Sequence, residues 1–199
     1  RSTLFPYTTL FRSLFMALAM TQEPQLALRE GAVLVPRAAW LPAPEDREGR
    51  PAAIDPERTV LITGATGTLG ALTARHLVEA HGARHLLLAS RSGAKAKGAK
   101  ELKAELQELG AEVTLAACDV SEKEQLAKLL ARVPKAHPLG AVIHAAGVLD
   151  DATIDSMSTE RIEAVFAPKA DGAHHLHELT AEADLSAFVM FSSAAATLG

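Results

Sequence analysis

The sequence predicts an α/β protein built on a doubly wound parallel sheet, strand order 3-2-1-4-5, preceded by a short β segment. Three observations point there. From Arg58 onward, five short apolar runs alternate with segments of helical period. Each run is apolar nearly from end to end, as strands covered on both faces are. A glycine loop stands directly between the first run and the first helix. Right-handed crossovers then limit the strand orders such a chain can adopt.

The elements follow in order. Residues 25–29 and 32–36 read as two short strands joined by a turn at Glu30-Gly31 that needs its glycine. Residues 41–57, rich in proline and charge, can hold neither a ladder nor a long helix and read as a linker. The first strand of the main unit is Thr59–Thr63, followed by a helix to about residue 80 with Leu69, Leu72, Leu77 and Val78 inward. A second strand at 85–89 leads to a helix over 97–109, with Leu102, Leu106 and Leu109 on one face and Gly110 as its stop. After a third strand, Glu112–Ala117, Ser121 and Glu124 form a capping-box pattern for a helix carrying Leu126, Leu129 and Leu130. A fourth strand at 141–144, helices near 158–165 and 169–182, and a fifth strand at 187–191 complete the series.

Composition narrows the function. A 199-residue chain with 48% apolar residues can bury a real core in one domain of ordinary size. Its 20 basic and 24 acidic residues are not segregated by sign, so the overall field gives no reason to expect nucleic acid or a membrane surface as a partner. A small-molecule substrate fits better. A single cysteine, Cys118, excludes an internal disulfide and a multi-cysteine metal site, consistent with a reducing cytoplasm; it reads as a small apolar filler at a strand end. His174, His175 and His177 spread over more than one helix face and read as surface, and no metal is expected. Residues 1–13, which hold the one tyrosine, Tyr7, resemble a translated sequencing adapter and are set apart from the fold. The apolar run 14–20 imitates a short signal peptide but is much too short for a membrane span.

The loop Thr63-Gly64-Ala65-Thr66-Gly67-Thr68-Leu69-Gly70 lies where backbone amides and a helix dipole can hold a pyrophosphate, the mark of a Rossmann-type dinucleotide site. About 20 residues past the last glycine, an acid would take the ribose hydroxyls of NAD. Here the second strand ends in Ser90-Arg91-Ser92, and the guanidinium fork of Arg91 suits the 2′-phosphate of NADPH. Asp119, after the third strand, either accepts from the adenine amino group or caps the turn ahead of Ser121. His144, the polar end of an apolar strand, reads as a satisfied core or edge histidine.

With these residues in view, the sequence resembles the ketoreductase of modular type I polyketide synthases, a complex short-chain dehydrogenase/reductase. TVLITGATGTLG, ARHLLLASRSG, ACDV, VIHAAGVLDD, PKADGAHHLHEL and FVMFSSAAATLG occur in the family's order, and EPQLALREGAVLVPR resembles the passage from its catalytically silent structural subdomain. The resemblance implies a structural-subdomain end at 14–40 and a catalytic subdomain at 58–199. It implies a cofactor site that includes Asp119 and Val120, with Ala145, Ala146 and Gly147 lining the nicotinamide side. By it, Ser193 hydrogen-bonds the substrate carbonyl and Lys169 tunes the catalytic tyrosine and the ribose. Leu149-Asp150-Asp151 resembles the signature of the B-type stereochemical outcome, and Leu198 agrees, the opposite type carrying tryptophan there. The substrate implied is a β-ketoacyl chain on the phosphopantetheine of an acyl carrier protein, with other synthase domains in cis. The family's tyrosine is expected about a dozen residues beyond Ser193, past Gly199. Two other readings stand beside this one: a non-catalytic cofactor-binding scaffold, and a free-standing extended dehydrogenase or sugar epimerase. Arg91 and the leading segment speak against the epimerase.

Overall fold

A computed structural model describes residues 23, 25–30, 32–37, 39 and 53–194. The chain divides into two units, Arg1–Arg47 with Ser192–Gly199, and Glu48–Phe191. In the first, β1 (Ala27–Arg29) and β2 (Ala32–Leu34) form an antiparallel hairpin with Leu28 opposite Val33. Both strands are shorter than expected. Glu30 takes the left-handed turn conformation, φ +48°, while Gly31, assigned that task from the sequence, lies outside the described residues.

In the second unit five strands form one parallel sheet: β3 (Thr59–Thr63), β4 (His85–Ser90), β5 (Glu112–Ala117), β6 (Leu139–His144) and β7 (Ala187–Met190). Their spatial order is β5-β4-β3-β6-β7, the expected 3-2-1-4-5 of a doubly wound, Rossmann-like sheet. The period of two sends alternate residues to two cores. Val60, Ile62, Leu88, Ala141 and Ile143 pack with α1 (Thr68–His81) and α2 (Ala99–Glu108). Leu61, Leu87 and Val142 face the other way, against α3 (Lys123–Leu130) and α5 (Gly172–Leu179). Each fully buried leucine here, such as Leu61, Leu106 or Leu126, contributes about 1.5–3 kcal/mol. Between β6 and β7 the chain also forms α4 (Thr159–Phe166), capped by Ser158 accepting the Arg161 N–H, and a π turn over Ala167–Asp171 that runs into α5.

Three expectations are corrected. On α1 the inward residues are Gly70, Ala74, Leu77 and Val78, whereas Leu69 and Leu72 are half exposed. Positions 70, 74, 77 and 78 lie within about 100° of one another around the helix and the two leucines fall on its far side, so hydrophobicity misled where spacing did not. Leu109 likewise sits beyond the last helical turn of α2 and is partly exposed. Gly110 does stop that helix, at φ +86°: its N–H donates to Gln107 O and the Ala111 N–H to Leu106 O, a Schellman closure. The capping box at α3 does not form. Its N-cap is Glu122, and Ser121 instead donates both N–H and Oγ–H to Asp119 Oδ1, at 3.0 and 2.6 Å. An Asp two residues upstream offers a tighter local turn than the helix end does. Among the described residues, no helix is long and apolar enough to cross a membrane.

Candidate functional site

A cleft of about 560 Å³ opens at the carboxyl ends of β3 to β6, where doubly wound sheets place their ligands. Each strand contributes the loop that leaves it: Gly64, Thr66 and Gly67 after β3, Ser90 to Ser92 from β4, Cys118 to Ser121 after β5, and Ala145 to Val148 after β6. Ala167 and Pro168 of the π turn close one side.

The glycine loop is built for close approach. Gly64 has φ +64°, and a Cβ there would lie 2.6 Å from Ala145 O, so the loop after β3 presses on the loop after β6. A Cβ on Gly70 would run into Gly64 O, which seats the start of α1 against the turn. Thr68 and Leu69 begin α1 and are exposed. The first-turn N–H groups lack acceptors within the helix, and no acidic side chain occupies that turn, leaving its dipole open to an anion. Thr63 does not face the cleft. It is fully buried behind the loop, its Oγ1 2.7 Å from His144 Nδ1.

Opposite the glycine loop, Arg91 is exposed on the cleft and has no ion-pair partner among the described residues. Ser90 Oγ beside it is buried without a hydrogen-bond partner among the described residues. An open cationic fork, an orphaned hydroxyl and a glycine cradle together fit the 2′-phosphate and pyrophosphate of NADPH. Asp119 lines the same cleft while one of its oxygens holds the Ser121 turn, so both readings of it have a counterpart in the geometry. Val120 is buried against the N-terminal end of α5, where a Gly172 Cβ would meet its Cγ2 at 2.9 Å. Cys118 is buried, and desolvation followed by the Asp119 charge pushes its thiol up to about 11, which makes it inert.

Ala145, Ala146 and Gly147 form the wall beside the π turn. Lys169 belongs to that turn, not to a regular helix start, and its side chain passes over Gly147. Asp150 pairs with Arg161 of α4, and the same guanidinium donates to Asp151 O at 3.1 Å; Leu149 is 84% exposed. Ser193 follows β7 and belongs to the other unit. Leu198 lies outside the described residues.

One cluster escaped sequence reasoning. At the amino ends of the strands, Glu57, His85 and His137 bring ligand-type atoms within 4.8 Å of one another. Their spacing in sequence gives no signal, because the sheet alone assembles them. The two imidazoles stack face to face with centroids 3.5 Å apart, so as they stand they cannot both aim an in-plane lone pair at one ion. The His174 and His175 rings tilt against each other with centroids 6.5 Å apart, and His174, His175 and His177 engage Glu178, Val120 O and the Phe188 ring respectively.

A Rossmann-like sheet with a glycine-cradled cleft at its carboxyl edge defines the class. Within that class the chain belongs to the KR domain family, whose model matches residues 58–199. It is 57% identical over 177 residues to the polyketide synthase GfsA of Streptomyces halstedii, covering 89% of this chain and 2% of that protein. To erythronolide synthase EryA2 of Saccharopolyspora erythraea it is 54% identical over 149 residues, 75% of this chain and 4% of the relative. Among solved structures, an A1-type ketoreductase superimposes with a TM-score of 0.80 at 46% identity, over 94% of this chain and 39% of that one. The first ketoreductase of the tylosin polyketide synthase does so with a TM-score of 0.74 at 44% identity, covering 94% and 40%. The chain thus spans a small part of its curated relatives and about two fifths of these structures.

Proposed function

We propose that this chain forms the cofactor-binding part of a ketoreductase that reduces a β-ketoacyl thioester to a β-hydroxyacyl thioester in polyketide synthesis. The substrate rides on the phosphopantetheine arm of an acyl carrier protein, in the cytoplasm, with other synthase domains in the same polypeptide. Residues 14–40 are the end of a structural subdomain, 41–57 a linker and 58–199 the catalytic subdomain. One observation carries the reading: Arg91, without an ion-pair partner among the described residues, lines a glycine-cradled cleft in a chain of the KR domain family.

When bound, NADPH would supply a hydride for the β-carbon. The first turn of α1 and the Gly64–Gly67 loop would hold its pyrophosphate, Arg91 and Ser90 its 2′-phosphate, and Asp119 its adenine edge. Ala145, Ala146 and Gly147 leave room for the nicotinamide. Lys169 holds the ribose and lowers the pKa of the proton donor, and Ser193 donates a hydrogen bond to the carbonyl oxygen as negative charge grows there. The reduced oxygen also needs a proton. The family's donor is a tyrosine following the serine, and the one tyrosine of this sequence is Tyr7. A polypeptide of these 199 residues alone is therefore expected to lack turnover, losing a contribution of about 10²–10⁴-fold. Leu149-Asp150-Asp151 directs the B-type outcome.

The test is NADPH oxidation with a β-ketoacyl thioester by the native protein that contains this chain. Consumption of one NADPH per β-hydroxy product, abolished by Ser193→Ala and Lys169→Ala, supports the reading. Cofactor binding with no reduction favours a scaffold role, and no cofactor binding rejects both.

A further inference from the structure

Thr63 and His144 end the neighbouring strands β3 and β6 in register, and both are buried, at 0% and 4% exposure. Thr63 Oγ1 lies 2.7 Å from His144 Nδ1 and accepts the Ala146 N–H at 3.4 Å. Among the described residues the hydroxyl proton has one acceptor, Nδ1. Were Nδ1 protonated, that hydroxyl proton would be stranded without a partner, which is costly in a dry interior. The ring proton therefore sits on Nε2, an atom that is itself buried and has no hydrogen-bond partner among the described residues.

What lies above that ring is the segment carrying Lys169. A Cβ on Gly172 would be 3.4 Å from His144 Cε1, so the imidazole edge runs directly beneath the junction of the π turn and α5. Burial lowers the His144 pKa and keeps the ring neutral, while the backbone of Lys169 and then of Pro168 opposes the shift, as acceptors facing a ring N–H do. A π turn reaches back five residues for its hydrogen bonds, a geometry that occurs often at functional sites.

We propose that His144 is a positioning residue for Lys169: with its tautomer fixed by Thr63, it presents Nε2–H to the underside of the π turn and sets the height at which Lys169 crosses Gly147. This rests on the reading of Lys169 as the group that holds the ribose and tunes the proton donor. It turns the residue expected to be a satisfied core histidine into the link between the sheet and the active lysine.

The experiment uses the native protein that contains this chain, with four variants. His144→Phe keeps a ring and removes both nitrogens, and His144→Gln restores an N–H donor. Thr63→Val keeps the shape and removes the hydroxyl that sets the tautomer, and Lys169→Ala is the reference. Expected for His144→Phe are a Kd for NADPH raised about threefold or more and a kcat lowered about tenfold with the thioester KM within about twofold. The alkaline limb of its kcat–pH profile also moves up, because a displaced Lys169 no longer lowers the donor's pKa. His144→Gln recovers most of this, and Thr63→Val shifts the same limb by less.

An unchanged Kd and pH limb in His144→Phe overturns the proposal. So does a loss that tracks thermal stability and is not recovered by His144→Gln, because a merely structural residue behaves that way. If His144→Phe does not fold, Thr63→Val decides, and a wild-type limb there overturns the proposal. If Lys169→Ala itself leaves Kd and kcat intact, the functional reading fails. If Lys169→Ala is inactive while His144→Phe is unaffected, the link alone fails.

Discussion

The Lys169 side chain crosses the α-carbon of Gly147 so closely that a Cβ there would sit 3.0 Å from Lys169 Cε and 3.6 Å from its Cγ. The atoms in the way belong to a flexible side chain, so Gly147→Ala should leave the fold intact and push the ammonium aside. Displacements of that order near a reacting centre cost up to about 10²-fold in rate. The expected result is a kcat reduced about tenfold or more in the native protein, with its thermal midpoint nearly unchanged. Kinetics and a melting curve on the same preparation check it.

Arg91 gives the second prediction. It stands on the cleft with no acid paired to it among the described residues, so Arg91→Ala should weaken NADPH by the worth of a charge-assisted hydrogen bond, about 1.5–3 kcal/mol, and leave NADH nearly untouched. Fluorescence titration with both cofactors measures the difference. Equal losses would remove the 2′-phosphate from its assigned partner.

Much of this site was legible because sheet order and cofactor loops are local consequences of pattern. The apolar runs of β3, β4 and β6 are covered on both faces as expected, whereas β5 and β7, at the two edges of the sheet, keep exposed residues such as Thr114 and Met190; the position of Gly64 to Gly70 between a strand and a helix located the cleft. The misses have physical causes of their own. Leu69 and Leu72 looked inward because they are leucines, yet helix phase puts Gly70 and Ala74 there, small residues that let α1 lie close to the sheet. Ser121 looked like a cap because the spacing to Glu124 is right, but Asp119 competes for the same donors over a shorter reach. The Thr63–His144 bond and the Arg161–Asp150 pair join residues 81 and 11 positions apart, and nothing in a one-dimensional pattern couples them.

Gly64 carries the third prediction, on stability. Its φ of +64° and the backbone atoms of Ala145 and Ala146 within 2.7 Å of any added Cβ leave no flexible group to yield. Gly64→Ala should cost about 3 kcal/mol or more, combining left-handed strain with overpacking against a backbone. Gly82, also at positive φ, has nothing within 4 Å of a built Cβ, so Gly82→Ala pays the conformational cost alone, about 1 kcal/mol. Denaturant unfolding of the two variants separates the steric part from the conformational part, and equal destabilisation would contradict the contact across the cleft.

The fourth prediction concerns the loop after Gly147. Arg161 of α4 ties down both acidic residues of Leu149-Asp150-Asp151, one through its carboxylate and the other through its carbonyl, while Leu149 projects outward. If this loop decides from which side the acyl chain enters, the restraint on it matters as much as its own side chains. Arg161→Leu keeps a helix-forming residue and releases the loop, and the pair it removes is half exposed, so global stability should change little. NADPH affinity should also hold, since Arg161 lies outside the residues lining the cleft. What should change is the product: the ratio of the two β-hydroxy configurations, read by chiral chromatography after reduction of a short β-ketoacyl thioester, should fall toward a mixture. Undiminished selectivity in Arg161→Leu, together with lost selectivity in Asp150→Ala, would place the control in the acidic side chain itself and not in the anchored loop.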